Sequence, residues 1–496
     1  MHLLRVQVPD FRVLKNVDIR FEKELIPKVF PLGSQNGGGK STLLQLIFVL
    51  LHCSTNPERL PFLKNFLNGF NLPEGVDKRV LAIIEIWDGE KSIELEFFAC
   101  GSQFFNRILD FSNNKDQEIL TLTTALSHLD SLNEQLTLID EKGIKLNNTF
   151  KDLKSMDESN GVLLKALQLE SRKKHEKIFR DLLSETGIPF SEEALHNSES
   201  LKHIKEGAMQ CLTASYNNTN TEKNDLLEYV DKLRKCLNIN NSELIVDFSS
   251  DNINEKESLI CSFKNLDINN VKIFLGDLSN KIFLTAPSSQ IFLFLPIEER
   301  KSLFMQISDN SKSNYYHDSL TYSKLILSGL FTYDFLAVDI LIDSFKTARD
   351  KDFIEAIQNG EYGSNYKKLL NELNTLMTNK YVNISTDFSE ITFKLDKSNG
   401  SIKLNPEDLS HGELKRLSIY MWLKHLNIED SIVLMDEVDI ALHPDWQYRI
   451  VDDLTEWAPS NQYILATHSY ELCQALTPSH IKILEPKLTE RRSEKL

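Results

Sequence analysis

The sequence predicts an α/β protein, with a β-rich lobe and a parallel-sheet core divided by a long, largely helical insertion. Three observations predict it. Four of the 18 glycines, Gly33, Gly37, Gly38 and Gly39, crowd into seven positions between a strand-like run and a helix-like run. Far downstream, Ile432–Met435 and Tyr463–Ala466 are short apolar runs that end on polar residues, as strands covered on both faces do. From about Asp110 to Leu237 the texture changes to leucines at helical spacing among dense charge.

Taken in order, Leu3–Val8 alternates and Val13–Phe21 does so loosely. Lys28–Leu32 reads as a buried strand and Leu43–Leu51 as a buried helix. Arg79–Trp87 and Lys91–Ala99 flank Asp88-Gly89-Glu90, a hairpin signal. Leu120, Leu122, Leu126, Leu129, Leu132 and Leu136 set the helical period of the insertion. Its basic run, Arg172–Lys177, reads first as a solvated helix face and second as a contact for DNA. Val271–Leu275, Ile282–Thr285 and Ile291–Leu295 read as strands, and Tyr322 to about Met377 as helical. Ile391, Phe393 and Leu395 alternate, Lys397–Gly400 turns, and Ile402 and Leu404 alternate back as a second hairpin. The expected domains are an N-terminal lobe over 1–105, an arm over 106–270, a mixed segment over 271–385 and a C-terminal lobe over 386–496.

A chain of 496 residues is too long for one core. Its 41% hydrophobic and 26% charged residues are ordinary for a water-soluble protein. The net charge of −16 repels nucleic acid and anionic membrane, so any nucleic-acid contact is expected to be local or made through a partner. Cys53, Cys100, Cys211, Cys236, Cys261 and Cys473 form no C-x-x-C pair, which argues against a zinc site or a disulfide framework. The start, Met1-His2-Leu3-Leu4-Arg5, lacks a signal-peptide layout, and Leu43–Leu51 is too short to span a bilayer. A cytoplasmic location with no membrane contact is the expectation.

Strand, glycine loop, Lys-Ser and helix is the order in which backbone N–H groups and a helix N-terminus wrap a nucleotide's phosphates. Asn36, Gly37, Gly38, Gly39, Lys40, Ser41 and Thr42 would line that cradle. Lys40 would reach the β- and γ-phosphates and the Ser41 hydroxyl would hold Mg²⁺, making ATP and Mg²⁺ the expected ligands. Ser34 stands where the loop pattern expects its first glycine. At the end of the Ile432–Met435 run, Asp436 would hold the metal shell and Glu437 would polarise the attacking water.

Two further motifs carry a resemblance. Leu409-Ser410-His411-Gly412-Glu413, just before a helix, resembles the signature of ABC-type ATPases in its L-S-x-G-E form. Thr467-His468-Ser469, at the end of the later run, resembles their switch histidine. Glycine loop, signature, Asp-Glu strand and His strand follow the ABC order, so the chain is similar to an ABC/SMC-like P-loop ATPase head over about 1–105 and 386–475. Ala441-Leu442-His443-Pro444 replaces the transporter S-A-L-D loop and looks like the OLD, AAA-15 and AAA-21 ATPases. The resemblance implies that Lys40, Glu437 and His468 are catalytic, that Ser410 and Gly412 complete the site of an opposite subunit, and that Arg12 approaches the phosphates. It leaves the glutamine loop at Gln290 or Gln103. Its texture is most like the Septu antiphage ATPases (the PtuA family, including the retron-associated form), with PARIS ATPases second. That likeness implies a homodimer or higher even oligomer and a separately encoded nuclease, HNH-type in Septu. A reverse transcriptase with associated DNA or RNA belongs to the retron form. The 28 residues that follow His468 (496 minus 468) are too few for a nuclease, which fits separate encoding. The alternatives are a DNA-repair or chromosome-organising ATPase of the SMC/RecF kind, and a scaffold that holds ATP with very slow hydrolysis.

Overall fold

In the computed structural model the strands are β1 (His2–Phe11), β2 (Leu14–Arg20), β3 (Val29–Gly33), β4 (Lys78–Trp87), β5 (Ser92–Cys100), β6 (Ser242–Ser249), β7 (Lys256–Lys264), β8 (Ile282–Ala286), β9 (Leu330–Thr332), β10 (Lys380–Ile384), β11 (Ile391–Lys397), β12 (Gly400–Leu404), β13 (Ile432–Asp436), β14 (Gln462–Ala466) and β15 (Lys482–Ile483). The helices are α1 (Lys40–Cys53), α2 (Leu60–Leu67), α3 (Leu122–Asp157), α4 (Leu164–Thr186), α5 (Ser198–Ile239), α6 (Val271–Ser279), α7 (Ser288–Ile291), α8 (Ala337–Asn359), α9 (Asn365–Leu376), α10 (His411–His425), α11 (Pro444–Trp457) and α12 (Tyr470–Gln474). The structure describes residues 1–101, 104, 105, 107, 122–157, 164–186, 198–239, 241–249, 256–267, 270–291, 294–296, 300, 321–333, 337–377, 379–397 and 400–484. Gln103 and Leu120 lie outside them. The chain divides into two units, 1–104 with 240–496, and 105–239.

The first unit is built on two large sheets. One is antiparallel, in the order β2-β1-β4-β5-β7-β6, and the other runs β15-β3-β14-β13-β8-β9 with every pairing parallel. The parallel strands read as unbroken apolar runs because both faces are covered. Phe30, Leu32, Ile432, Leu434, Ile464 and Ala466 join the core that holds α1. Their neighbours Val29, Val433, Met435, Tyr463 and Leu465 join the opposite core, with α10 and α11. An α/β class with a parallel core and an antiparallel lobe is therefore what the structure shows. The small sheet β10-β11-β12 contains the second expected hairpin.

The insertion differs from its expected bounds. Residues 242–249 and 256–264, read as part of the 106–270 arm, form β6 and β7 and extend the antiparallel sheet, with β7 pairing to β5 across a long chain separation (Glu96 faces Ser262). Val271–Leu275, read as a strand, opens helix α6. A five-residue apolar run has no periodicity that tells a buried strand from a buried helix. Ile291 closes the short α7 instead of opening a strand, and β9 interrupts the segment read as helical.

Among the described residues the second unit holds α3, α4 and α5, around Leu146, Leu153, Phe179, Leu183, Leu201 and Ala208. Its basic run lies on α4 with Lys173, Lys174 and Lys177 exposed, while Arg172 bonds Glu176 at 2.9 Å. This is the solvated face of the first reading. No helix among the described residues is long and apolar enough to cross a membrane.

Candidate functional site

The parallel register brings the motif-bearing strand ends together. Leu32 of β3 pairs with Ala466 of β14, Ala466 with Asp436 of β13, and Met435 with Thr285 of β8. Ligands of open α/β sheets bind outside these carboxyl ends. Here the glycine loop, Asp436-Glu437 and Thr467-His468 all leave the sheet at that edge.

Each of the three consecutive glycines of the loop has a local reason. Gly37 and Gly39 have φ of +78° and +88°, the left-handed region that side chains avoid. A Cβ on Gly38 would lie 2.3 Å from Ser34 Oγ, and one on Gly39 would lie 2.6 Å from a Leu14 methyl. Gly33 has open space and no such φ, so nothing local demands glycine there. Ser34, the departure from the loop pattern, accepts hydrogen bonds from Lys40 Nζ at its carbonyl (3.2 Å) and hydroxyl (3.1 Å). Burial lowers the Lys40 pKa against the opposing pull of Asp436, Asp439 and Glu437. Asn36 is exposed at the loop tip, and Ser41 and Thr42 are half-buried in the first turn of α1.

Ser41 Oγ donates to Asp436 Oδ1 at 3.0 Å, closing a gap of 395 residues in the chain. Asp436 is 2% exposed, and its Oδ2 is buried with no partner among the described residues. A hydroxyl beside a carboxylate with a spare buried oxygen fits a hard divalent cation that keeps waters and phosphate oxygens as its other ligands. Among the described residues no group of three or more His, Cys, Asp or Glu could hold a metal. Burial, opposed by the Ser41 bond and reinforced by Glu437, raises the Asp436 pKa to about 6.

That shift predicts a pH dependence. The folded pKa lies above the ordinary 3.8, so ionising Asp436 costs the ligand-free fold about 3 kcal/mol. The favourable contribution is complete below the ordinary value and is lost as pH rises through about 6. A bound cation takes the ionised form, so the Mg²⁺-dependent rise in Tm with nucleotide present should grow from about pH 4 to 6 and level off above. Asp436→Asn should abolish that growth. An identical pH profile in the variant would remove Asp436 from the cation site.

Glu437 follows with φ +53°, a left-handed conformation that costs a non-glycine residue about 1–3 kcal/mol and tends to be kept at functional sites. Its N–H donates to Ala466 O at 3.1 Å. His468 is exposed at the end of β14, and its N–H donates to Asp439 Oδ2 at 3.2 Å. Asp439 and Lys415, both 6% exposed, were not singled out from sequence. Asp439 Oδ1 is a second buried carboxylate oxygen without a partner among the described residues. The departure at His443 has a local reason: its Nδ1 accepts from Asp445 N–H at 3.3 Å and caps α11, with Pro444 at the first helical position.

Ser410 caps α10 in a reciprocal capping box with Glu413, and Glu413 also pairs with Lys380. Gly412 is needed for close approach, since a Cβ there would lie 2.8 Å from Ala441 O and 3.2 Å from Trp446. The contacts described for these residues are thus within their own lobe. Arg12, expected at the phosphates, donates to Phe66 O at 2.7 Å with its guanidinium 4.4 Å from the Phe66 ring centre. The turn that carries it does meet the glycine loop, through Val13 and Leu14 against Gly39. Gln290 Oε1 accepts from Gln45 Nε2 of α1 at 2.9 Å.

Comparison with known proteins gives these likenesses. Residues 263–474 match the family described as "AAA domain, putative AbiEii toxin, Type IV TA system". The chain is 47% identical over 54 residues to the "Retron Vc95 probable ATPase" of Vibrio cholerae serotype O1 biovar El Tor, a match covering 11% of this chain and 10% of the relative. It is 38% identical over 55 residues to the "Retron Ec83 probable ATPase" of Escherichia coli, again 11% and 10% of the two. The chain thus spans about a tenth of the length of the curated relatives it matches. Among solved structures, the Smc head domain of Pyrococcus furiosus with bound ScpA C-terminal domain aligns over 96% of this chain and 91% of its own at 11% identity, TM-score 0.29. The Smc head domain of Pyrococcus yayanosii aligns over 96% and 93% at 12% identity, with the same TM-score of 0.29. The family match thus bears on residues 263–474 and the retron likenesses on stretches of 54 and 55 residues.

Proposed function

We propose that this chain is the ATP-hydrolysing subunit of a bacterial antiphage defence complex, acting as a homodimer or higher even oligomer whose nucleotide state controls a separately encoded nuclease. The single observation that carries the ATPase reading is the Ser41–Asp436 hydrogen bond, which joins the glycine-loop helix to the acidic strand. Asn36, Gly37, Gly38, Gly39 and Thr42 wrap the phosphates with backbone N–H groups, and Lys40 leaves Ser34 to meet the γ-phosphate. Mg²⁺ on Ser41 and Asp436 would supply charge neutralisation at the phosphates. Glu437 accepts the proton of the attacking water, and His468 contacts the γ-phosphate. Ser410, exposed at the cap of the 15-residue helix α10, and Gly412 serve the nucleotide of the partner subunit.

The likeness to retron ATPases supports the defence reading and adds a reverse transcriptase with associated DNA or RNA to the expected partners. An HNH-type nuclease is the effector favoured by the Septu resemblance. With a net charge of −16, nucleic acid is reached through those partners or a local patch. The test is mass spectrometry of protein and nucleic acid that co-purify with tagged Glu437→Gln from the native host. A stoichiometric nuclease is the expected result. A bare dimer, or repair proteins alone, would overturn the defence reading in favour of a housekeeping ATPase.

A further inference from the structure

Glu437 keeps a conformation its side chain disfavours, and Lys415 contributes to what holds it. Lys415 lies one turn inside α10, 6% exposed, with its ammonium 4.0 Å from the centre of the Tyr333 ring. Its Nζ donates to Glu437 O at 2.6 Å and to Ile440 O at 3.0 Å. The 437–440 turn is thus drawn toward α10 by one side chain bonded at both of its ends. From within that turn, Asp439 accepts the His468 N–H, and its carbonyl accepts from Gln447 Nε2 at 3.1 Å. Gln447 Oε1 in turn accepts from Ser469 Oγ at 2.7 Å. Lys415 is therefore a buried cation in a frame that ties α10, the acidic turn and the histidine strand together.

Burying an ammonium is costly, and a turn can be closed by neutral groups at less cost. The geometry points to a reason for the charge: we propose that Lys415 is a positioning residue for hydrolysis, holding the Glu437 carbonyl so that the general-base carboxylate keeps one placement. Because Ser410 caps α10, the helix proposed to receive the partner subunit's γ-phosphate is the same helix that grips Glu437. Docking of one subunit's nucleotide on α10 is then felt by the glutamate of the other site. This inference rests on the assignment of Glu437 as general base. It assigns Lys415 no contact with nucleotide.

The test measures kcat, nucleotide affinity and Tm for the full chain with its co-purifying partners, as wild type, Lys415→Met, Lys415→Arg, Glu437→Gln and the Met/Gln double variant. Lys415→Met should lower kcat by about 10²-fold with affinity changed less than about threefold. Lys415→Arg should recover much of the rate, because a guanidinium can also donate to two carbonyls. In the Glu437→Gln background the Met substitution should cost almost nothing further, the non-additivity of two groups acting as one unit. A wild-type kcat in Lys415→Met while Glu437→Gln is inactive overturns the inference alone. So does a fall in affinity and Tm in step with kcat, which is what a structural clamp would give. Should Lys415→Met fail to fold, Lys415→Gln carries the same comparison, and an unchanged kcat there overturns it. A wild-type rate in Glu437→Gln would instead overturn the reading beneath.

Discussion

Glu437→Gln is expected to bind ATP as the wild type does and to hydrolyse it about 10²–10⁴-fold more slowly. The amide keeps the size of the carboxylate but cannot take a proton from water. The backbone bonds that hold the residue, from its N–H to Ala466 O and from Lys415 to its carbonyl, do not involve the side chain. The fold and the left-handed turn should therefore survive. Glu437 is also one of the charges that raise the Asp436 pKa, so in the variant that pKa should move back down. Tight binding with no turnover predicts that the variant accumulates as a nucleotide-loaded dimer. Single-turnover hydrolysis, together with light scattering in ATP and Mg²⁺, checks both halves. A wild-type rate would take the general-base role from Glu437, whatever the oligomer does.

The parts of this site that were legible in the sequence are those whose chemistry is local. Gly37, Gly38 and Gly39 announce a loop because two positive φ values and two close approaches favour glycine there. The central strands were legible because a strand covered on both faces has no polar positions to hide it. Ser410 and Glu413 form a capping box that can be read three residues apart. What was not legible depends on the fold having closed. β7 belongs to the antiparallel sheet only because it pairs with β5, and no residue between 256 and 264 names that partner. The resemblance puts Arg12 at the phosphates, and its ligand-free contact with the carbonyl and ring face of Phe66 on α2 is one that no neighbouring residue announces. Lys415 looks like any surface lysine two places past a signature glutamate. Its meaning lies in carbonyls 22 and 25 residues away. Asp439 likewise needs β14 beside it before it has the His468 N–H to accept.

Lys40→Met separates binding from folding and should show the largest loss of affinity. Lys40 is 6% exposed, and in the ligand-free chain its ammonium bonds only to the carbonyl and hydroxyl of Ser34 among the described residues. Its folded pKa lies below the ordinary value, so the charged form costs the native state near neutral pH, and that cost disappears with the charge. The opposing effect is weaker support for the neighbouring carboxylates. For Asp436, however, Lys40 ranks behind burial, the Ser41 bond and Glu437 among the causes of its shift. The ligand-free Tm of Lys40→Met should therefore stay level or rise. With ATP and Mg²⁺ at about a hundred times the wild-type Kd, the wild type gains about 2.7 kcal/mol and the variant nothing. A full ligand-induced Tm rise in Lys40→Met would show that the phosphates are held elsewhere. Gly39→Val makes the contrasting case, because it adds a side chain at φ +88° against Leu14 and Val13. It should lower the ligand-free Tm as well as binding, so the pair of variants distinguishes a lost charge from a lost loop.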